Sequence, residues 1–228
     1  LQILLFPIIF IYLVIRVLKK KEDRARLNER FGKPVAKRFK TKKLVWIHAA
    51  SVGESLCVLS LIDELVENKK IQVLLTTGSV TSAKLMEERL NKKAIHQYVP
   101  IDFTPFVKSF MAYWKPDVSM FVDSDLWPNL VHEAPNKVII NARMSDRSYV
   151  KYNKVKSIAK KVMSGFDCIF AQSQRDYDRF KEFADGQVIN SGNLKYETKE
   201  LAFKQDDYDV FASTFSDRKI VLISSTHN

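Results

Sequence analysis

The amino-acid sequence predicts an α/β protein with a mostly parallel sheet flanked by helices, preceded by an N-terminal membrane-anchor helix. From Leu44 onward, short apolar runs rich in β-branched residues alternate with segments of helical periodicity. Because β–α–β connections join parallel strands, this alternation predicts a parallel sheet that is covered on both faces. At the N-terminal end, residues 1–15 contain one strongly polar side chain, Gln2, and directly precede a basic segment.

Three interpretations of the apolar N-terminus compete. A cleaved signal peptide has basic residues before its apolar run and a small-residue site after it, whereas here the basic residues follow the run and no such site is present. A buried core helix would not be apolar on every face for 15 residues and then be followed by a strongly basic segment. As a helix, residues 1–18 span roughly 27 Å, close to the ~30 Å hydrocarbon core, if Arg16 extends toward the headgroups. The sequence therefore favours a membrane anchor over residues 1–18.

The net charge is concentrated next to that apolar run. The chain has 37 basic and 26 acidic residues, a formal charge of +11, and residues 16–43 hold 13 of the basic and three of the acidic ones. This pattern predicts a basic juxtamembrane segment, 19–43, that contacts anionic membrane lipids and places the following domain on the cytoplasmic side. Aromatic residues do not alternate with the basic ones, and no nucleic-acid motif is present, so we expect no nucleic-acid partner.

The alternating segments define the predicted organisation of the rest of the chain. The predicted strands are 44–48, 71–77, 95–99, 117–122, 137–142, 168–172, 187–191 and 219–225. The predicted helices are 52–68, 81–90, 105–114, 146–164 and 174–184. Residues 129–136 are too few for a comfortable crossover helix. We expect one domain over 44–196, a polar linker over 197–218 and the first strand of a second domain over 219–228.

Glu54 is the first candidate site residue, because ligands bind at the carboxyl ends of strands in open parallel sheets and Glu54 follows the first predicted strand. With Ser51 it forms an S-x-x-E capping box, which indicates a helix cap. Gly53 beside it allows a ligand to approach the backbone closely. The local sequence leaves two roles open for Glu54, the helix cap and a proton acceptor.

Other strand ends carry further charged candidates. Asp123 and Asp125 form a D-x-D pattern, which fits turn chemistry, a divalent-cation site or another site role. Lys195 lies in a Gly-Asn turn, where a solvated side chain is the simplest interpretation. Arg143 is close to a predicted helix start, where it can bind phosphate or carboxylate. The two cysteines are isolated in the sequence and form no C-x-x-C, which argues against a metal or redox site.

Taken together, these segments resemble the Kdo transferases, which act on 3-deoxy-D-manno-octulosonic acid (Kdo) in lipopolysaccharide synthesis. The apolar N-terminus contributes to the resemblance, and the matching motifs run in order over nearly the whole chain. They are RLNERFGKP, WIHAASVGES, TTGSVTSA, YVPIDF, KPDVSMFVDSDLWPNL, INARMSDRS, AQSQRD, SGNLKYE and ISSTHN. The resemblance implies the two-domain GT-B fold, with a Rossmann-like N-terminal acceptor domain and a C-terminal domain that binds the sugar nucleotide.

The resemblance also implies the reaction and the residues that perform it. It implies a glycosyltransferase that transfers Kdo from CMP-Kdo to a lipid A precursor, lipid IVA, with inversion at the anomeric carbon. Glu54 matches the family's general base, and Asp123 and Lys195 match residues that stabilise the transition state. We expect no cofactor and no metal ion. The candidate substrate-binding residues are Ser51, Gly53 and Arg143.

The chain departs from the family pattern in two ways. Both glutamates of the family's E-x-E-L-W-P are aspartates here, Asp123 and Asp125. Their shorter side chains reach less far, and a misplacement of ~1 Å can cost ~10²-fold in rate. The family's CMP-binding segments are expected after residue 228, so we expect an acceptor half that is inactive alone, at the inner face of the bacterial inner membrane. Two alternatives remain: a metal-dependent glycosyltransferase that uses Asp123 and Asp125, and a non-catalytic, membrane-bound lipid-binding fragment.

Overall fold

The computed structural model describes residues 7, 11, 13–19, 21–123, 126–197 and 205–215. The chain divides into two compact units, Leu1–Glu197 and Thr198–Asn228. The predicted anchor over residues 1–18 lies largely outside the described residues, and the predicted strand 219–225 lies wholly outside them. Among the residues that are described, no helix has the length and apolar character needed to cross a membrane.

Seven strands of the first unit form one parallel sheet, as predicted. The strands are β1 Lys43–Ala49, β2 Ile71–Thr77, β3 Ile95–Tyr98, β4 Val118–Val122, β5 Lys137–Ala142, β6 Cys168–Ala171 and β7 Gln187–Asn190. Their order across the sheet is β3-β2-β1-β4-β5-β6-β7, and every neighbouring pair is parallel. The chain therefore builds outward from β1 to β3, returns to the other side of β1, and builds outward again from β4 to β7.

Helices connect the strands on both faces of the sheet, and two of the predicted helices are each divided in two. The α-helices that follow β1 in the first unit are α1 Val52–Cys57, α2 Leu59–Glu67, α3 Val80–Arg89, α4 Thr104–Trp114, α5 Pro128–Glu133, α6 Asp146–Lys154, α7 Lys156–Met163 and α8 Gln174–Lys181. The predicted helix 52–68 is interrupted at Val58 and the predicted helix 146–164 at Val155, where ψ is 0° and 41°. Valine is β-branched and lowers helix propensity at both positions.

The short connection between β4 and β5 does contain a helix, α5, because a distant side chain caps it. The residue before α5, Trp127, provides no side-chain cap. Instead the Asp102 carboxylate accepts hydrogen bonds from the backbone N–H groups of Asn129 and Leu130, at 3.1 and 2.8 Å. A carboxylate at the first turn satisfies otherwise unpaired N–H groups and favours the helix dipole. Asp102 is therefore the cap that residues 129–136 lack in their own sequence.

Both faces of the sheet are buried, which explains why the strands are almost continuously apolar. One apolar layer is centred on Trp46 and Phe121 and receives side chains from α4, α5, α7 and α8. The other is centred on Ile47 and Leu75 and receives side chains from α1, α2 and α3. The buried indole of Trp46 donates to Thr76 Oγ1 at 2.9 Å, so its polar atom is satisfied.

Part of the predicted basic segment is folded against the sheet. A 3-10 helix, Leu27–Phe31, contains Glu29 and Arg30, whose residues are 3% and 5% exposed. Glu29 Oε2 accepts from the Tyr98 N–H at 2.6 Å, and Arg30 Nε donates to Glu22 Oε2 at 3.0 Å. Because a buried charge needs a partner, this hydrogen bond and this ion pair belong to the interior of the domain. The charge of Arg30 is neutralised there.

We expect Gly32→Ala to destabilise the first unit strongly. Gly32 ends the 3-10 helix with φ +75°, and an added Cβ would lie 2.2 Å from the carbonyl oxygen of Phe106. The left-handed conformation alone costs an L-residue about 1–2 kcal/mol. The collision forces the backbone to move in addition, so urea unfolding should show a loss of more than about 2 kcal/mol.

Gly192→Ala is the matched control for this substitution. Gly192 has φ +80°, but nothing lies within 4 Å of its added Cβ. Its substitution should therefore lose only the conformational part, about 1–2 kcal/mol. Equal losses for Gly32→Ala and Gly192→Ala would show that the contact with Phe106 has no energetic effect.

Candidate active site

Three candidate catalytic side chains, Glu54, Asp123 and Lys195, lie around the thiol of Cys57. Cys57 is 3% exposed, and burial raises its pKa to about 11. The positive charge of Lys195 opposes this rise, and the negative charges of Asp123 and Glu54 add to it. The interaction between charges weakens with distance. The charged groups that follow β1, β4 and β7 are therefore all close enough to act on the Cys57 thiol.

Glu54 lies in the first turn of α1 and caps it. Ser51 Oγ accepts from the Glu54 N–H at 3.3 Å and donates to Glu54 Oε1 at 2.8 Å. The other carboxylate oxygen, Oε2, accepts from the Ala50 N–H at 2.7 Å. The capping interpretation is confirmed, with Ala50 rather than Ser51 supplying the backbone N–H. The two oxygens of an ionised carboxylate together offer about four acceptor positions.

The surroundings of Glu54 are open on the side of Gly53. Ser51 and Gly53 are exposed, and Glu54 is half-buried. No atom lies within 4 Å of a Cβ built on Gly53, and its backbone is not in the left-handed region. Glycine is therefore not required by the fold at this position. Its small size leaves room for a ligand beside the Glu54 carboxylate.

Asp123 directly follows β4 and has a left-handed conformation, with φ +62°. Its N–H still donates to the carbonyl of Ile140 on β5 at 3.1 Å, so the sheet pairing continues up to this residue and then stops. Aspartate is one of the few residue types that adopt this conformation readily. Such backbone strain is concentrated at functional sites in proteins, which supports a site role for Asp123.

Asp125 lies outside the described residues, so the structure gives no geometry for the D-x-D pair. Within the parts of the chain that are described, no group of three or more His, Cys, Asp or Glu side chains is placed to hold a metal ion. The candidate metal role of Asp123 and Asp125 therefore gains no structural support.

Lys195 reaches the site because its segment turns back over the sheet. The preceding strand, β7, is the third strand from β4, about 14 Å away at ~4.8 Å per strand. The 3-10 helix Leu194–Glu197 follows it. Asn141 Oδ1 on β5 accepts from the Leu194 N–H at 3.1 Å, and the Leu194 side chain packs on the layer that contains Ile140. Asn141 thereby positions the turn that carries Lys195.

Sequence analysis missed Asn141, although one signal was present. Asn141 is 4% exposed and has φ +51° at a register shift within β5. A buried amide in an apolar strand requires hydrogen-bond partners, and asparagine tolerates positive φ. A polar residue near the end of the run KVIINA is therefore the feature that could have indicated a bulge and a tertiary hydrogen bond.

Arg143 lies on the same edge of the sheet but is not joined to the other candidates. It follows β5 and is exposed. Ser145, two residues later, caps α6 by accepting from the Ser148 N–H at 3.2 Å. In the described ranges of the chain, no hydrogen bond or ion pair holds the Arg143 guanidinium. It is therefore available to an anion at the start of α6.

Arg30 helps to position Glu54 through a series of hydrogen bonds. Sequence analysis placed this residue only in the basic segment. Arg30 Nη2 donates to the carbonyl of Gly78 at 2.7 Å, and the Gly78 N–H donates to the carbonyl of Ala50 at 3.2 Å. The Ala50 N–H donates to Glu54 Oε2 at 2.7 Å. The segments that follow β1 and β2 are packed closely, since a Cβ on Gly78 would lie 3.0 Å from the Ala50 carbonyl oxygen. The local spacing of charges gave no signal for this role.

The residues around Arg30 keep their protonation states across the neutral pH range. Burial lowers the pKa of His96 to about 3, with help from the positive charges of Arg26 and Arg30. Burial raises the pKa of Tyr98 to about 12. The guanidinium groups of Arg26 and Arg30 lie 4.7 and 4.6 Å from the centre of the Tyr98 ring. This network is therefore a fixed support, stabilised partly by cation–π attraction.

Comparison with known proteins identifies the family. The family model for 3-deoxy-D-manno-octulosonic-acid transferase (kdotransferase) matches residues 25–198. A 3-deoxy-D-manno-octulosonic acid transferase from Rickettsia bellii is 37% identical, over 100% of this chain and 55% of that protein. One from Haemophilus influenzae is 28% identical, over 97% of this chain and 54% of that protein. The structure of UDP-GlcNAc 2-epimerase from Neisseria meningitidis bound to UDP-GlcNAc is similar, with a TM-score of 0.53 and 13% identity over 78% of this chain and 55% of that one.

These comparisons differ in what they establish. The similarity to the epimerase concerns the fold alone, a parallel sheet with flanking helices. The chain spans about half the length of the curated relatives from Rickettsia bellii and Haemophilus influenzae. The family model covers most of the chain, including the segments that carry Glu54, Asp123 and Lys195. The chain therefore belongs to the 3-deoxy-D-manno-octulosonic acid transferase family and corresponds to its N-terminal part.

Proposed function

We propose that this chain is the acceptor half of a GT-B enzyme that transfers Kdo from CMP-Kdo to a lipid A precursor, lipid IVA, with inversion at the anomeric carbon. The observation that carries the proposal is the grouping of Glu54, Asp123 and Lys195 around Cys57 in a member of this family. CMP-Kdo is expected to bind mainly to the part of the relatives that this chain does not cover. The chain alone should therefore transfer little or no Kdo.

In this proposal Glu54 is the general base. The acceptor hydroxyl donates its hydrogen bond to a carboxylate oxygen of Glu54 from the open side next to Gly53. As the hydroxyl oxygen forms its bond to the anomeric carbon, the proton passes to Glu54 and the bond to the CMP phosphate breaks. The bonds from Ala50 and Ser51 fix the position of the carboxylate. Glu54 therefore acts through its position at the reacting hydroxyl.

Lys195 and Asp123 complete the proposed site. The Lys195 ammonium offsets negative charge on the departing CMP or on the Kdo carboxylate, an effect that is strongest in a partly dry cleft. Asp123 contributes a carboxylate from the opposite side of the crevice between β1 and β4. Arg143 is a candidate to bind a phosphate or carboxylate of a substrate, since it lies on the same edge of the sheet.

We further propose that the protein acts at the cytoplasmic face of the bacterial inner membrane, held there by residues 1–18. The support comes from the sequence: an apolar run followed by basic residues. Lys19 and Lys21, at the end of that run, are exposed and can contact anionic headgroups. Arg30, in contrast, is buried within the domain.

The role of Glu54 is tested in a chimaera that joins residues 1–228 to the C-terminal remainder of the Rickettsia bellii relative. In this chimaera, Glu54→Gln keeps the size of the side chain but removes its basicity. We expect turnover in a Kdo-transfer assay with CMP-Kdo and lipid IVA to fall by about 10²–10⁴-fold.

Glu64→Gln is the control for this substitution. It makes the same chemical change at an exposed residue of α2, away from the site. Its turnover should stay within about twofold of the parent. Activity of Glu54→Gln within a few-fold of the parent would reduce Glu54 to a helix cap. A folded chimaera that transfers no Kdo would contradict the proposed function itself.

We expect Arg30→Lys to lower turnover in the chimaera while leaving the KM for CMP-Kdo nearly unchanged. Lysine keeps the charge beside Glu22 but cannot reproduce the bonds of the guanidinium to the carbonyls of Gly78 and Val99. A small displacement of Glu54 should then cost about tenfold or more in kcat.

Arg38→Lys provides the matched control. Arg38 makes similar bonds, to the Trp114 carbonyl and to Asp117, but at the amino ends of the strands. The Arg38→Lys variant should have a lower free energy of unfolding and an unchanged kcat. Equal effects of the two substitutions on kcat would mean that Arg30 acts only through overall stability.

Metal dependence distinguishes the proposed reaction from the alternative that uses Asp123 and Asp125. We expect the chimaera to keep its full activity in EDTA, because Lys195 supplies the positive charge at the departing CMP in the proposed mechanism. Loss of activity in EDTA, followed by recovery with Mg²⁺ or Mn²⁺, would instead favour a divalent cation held by the aspartates.

A further inference from the structure

The segment that contains α6 and α7 is a second strongly basic part of the chain, more than 100 residues after the N-terminal basic segment in the sequence. Residues 147–166 contain six basic and no acidic side chains. The two acidic residues that flank this range are Asp146 and Asp167. Asp146 pairs with Arg179 on α8. The segment therefore presents a local excess of positive charge on the folded domain.

An apolar stripe runs along the outer side of the same segment. Val155, Ile158 and Val162 are 47%, 64% and 36% exposed. Their spacing of three and four residues places Ile158 and Val162 on one side of α7. The inner side of α7 is formed by Ala159 and Met163, which are 5% and 1% exposed. Helix α7 thus has one apolar side in the core and a second one in contact with solvent.

The stripe continues into a groove between α5 and α7. A cavity of about 310 Å³ lies there, lined among others by Leu126, Pro128, Val131 and Val162. Lys161 borders the same groove. The exposed apolar area therefore extends beyond a single helix. Contiguous apolar patches with a charged border mark interaction surfaces in soluble domains.

Most lysines of this segment are not used by the fold. Lys156 is directed to Glu182 on α8, with an Nζ to Oε2 distance of 3.9 Å. In the part of the chain that the structure describes, no carboxylate pairs with the other four, and all four are exposed. They are Lys151, Lys154, Lys160 and Lys161. Unpaired lysines around an apolar stripe are typical of helices that lie in the headgroup region of a membrane.

We propose that α6 and α7 form a second membrane contact, in which Val155, Ile158 and Val162 enter the headgroup region of an anionic bilayer and the neighbouring lysines bind lipid phosphates. A protein partner fits less well, because lysine is depleted in the cores of protein interfaces. A nucleic-acid partner does not explain the aliphatic stripe. The surface is separate from Glu54 and from residues 1–18, and its test requires no catalysis.

The helices of the proposed contact begin at the edge of the sheet that carries the candidate active site. α6 begins at Asp146, three residues after Arg143, at the carboxyl edge of the sheet. α7 ends at Met163, shortly before β6 begins at Cys168. The two helices thus lead away from the site along one side of the sheet. A bilayer on this side would hold a glycolipid near Arg143.

The test uses the full chain with an environment-sensitive NBD fluorophore at Ile158→Cys, in a Cys168→Ala background. The remaining thiol, Cys57, is buried and has a raised pKa, so it should not react with the fluorophore. Vesicles of phosphatidylcholine and phosphatidylglycerol should shift the emission to the blue, and brominated lipids should quench it. Vesicles of phosphatidylcholine alone should have little effect. A fluorophore at Glu64→Cys, on α2, reports the opposite face and should not respond.

Charge substitutions then test the lysines. Lys154→Gln combined with Lys161→Gln should weaken the vesicle affinity measured at position 158 on the order of 25-fold, at about fivefold per lysine. Lys69→Gln combined with Lys70→Gln removes the same charge from an exposed pair between α2 and β2, and should change the affinity less than about twofold. Equal losses for the two pairs would overturn the proposal, because the effect would then be one of net charge.

Three other results would also overturn it. The chain could sediment with vesicles while the emission at position 158 stays unchanged, which would place the contact elsewhere. A response to duplex RNA without a response to vesicles would identify a nucleic-acid surface. Finally, the response could vanish in the chimaera although the chain alone shows it, which would mean that the C-terminal part covers α7.

Discussion

The candidate site depends on the pairing of β1 with a parallel strand on each of its sides. β1 pairs with β2 along its whole length and with β4 over Val45 to His48. The chain reverses its direction of growth at this position, so the segments that follow β1 and β4 leave the sheet on different sides and open a crevice at its edge. Glu54 and Asp123 follow these two strands. No other pair of neighbouring strands in the described sheet gives this arrangement.

The two sides of the site are supported in different ways. Glu54 is held by a buried frame of ion pairs and backbone hydrogen bonds that extends from Arg30 through Gly78 and Ala50. Separation of such a buried pair leaves an uncompensated charge in the interior, which is strongly destabilising. The paired arrangement of the frame is therefore the stable one. Lys195 depends instead on a short turn, whose backbone N–H groups are bonded by Asn141 and Asn193. The turn that carries Lys195 is therefore positioned by side-chain amides, whereas Glu54 is positioned through buried ion pairs.

The sequence was sufficient to predict the sheet, because strands that are buried on both faces are apolar throughout. It was also sufficient to predict the edge at which the site lies, because polar residues follow the ends of these strands. It was insufficient wherever a distant residue decides the local structure. The cap of α5 comes from Asp102, and Lys195 is positioned by Asn141, 54 residues before it in the sequence. Arg30 belongs to a run of basic residues, and charge counting cannot separate a buried guanidinium from solvated ones. The basic surface of α6 and α7 was missed for the same reason, since acidic residues elsewhere cancel its charge in the total.

The left-handed backbone at Asp123 gives the presence of aspartate at this position a physical reason. Aspartate is several-fold enriched in this conformation, because its short side chain can bond to the nearby backbone, whereas glutamate has no such advantage. A change of Asp123 to glutamate would lengthen the side chain but strain the turn, so the reach of the carboxylate and the shape of the main chain are coupled at this position.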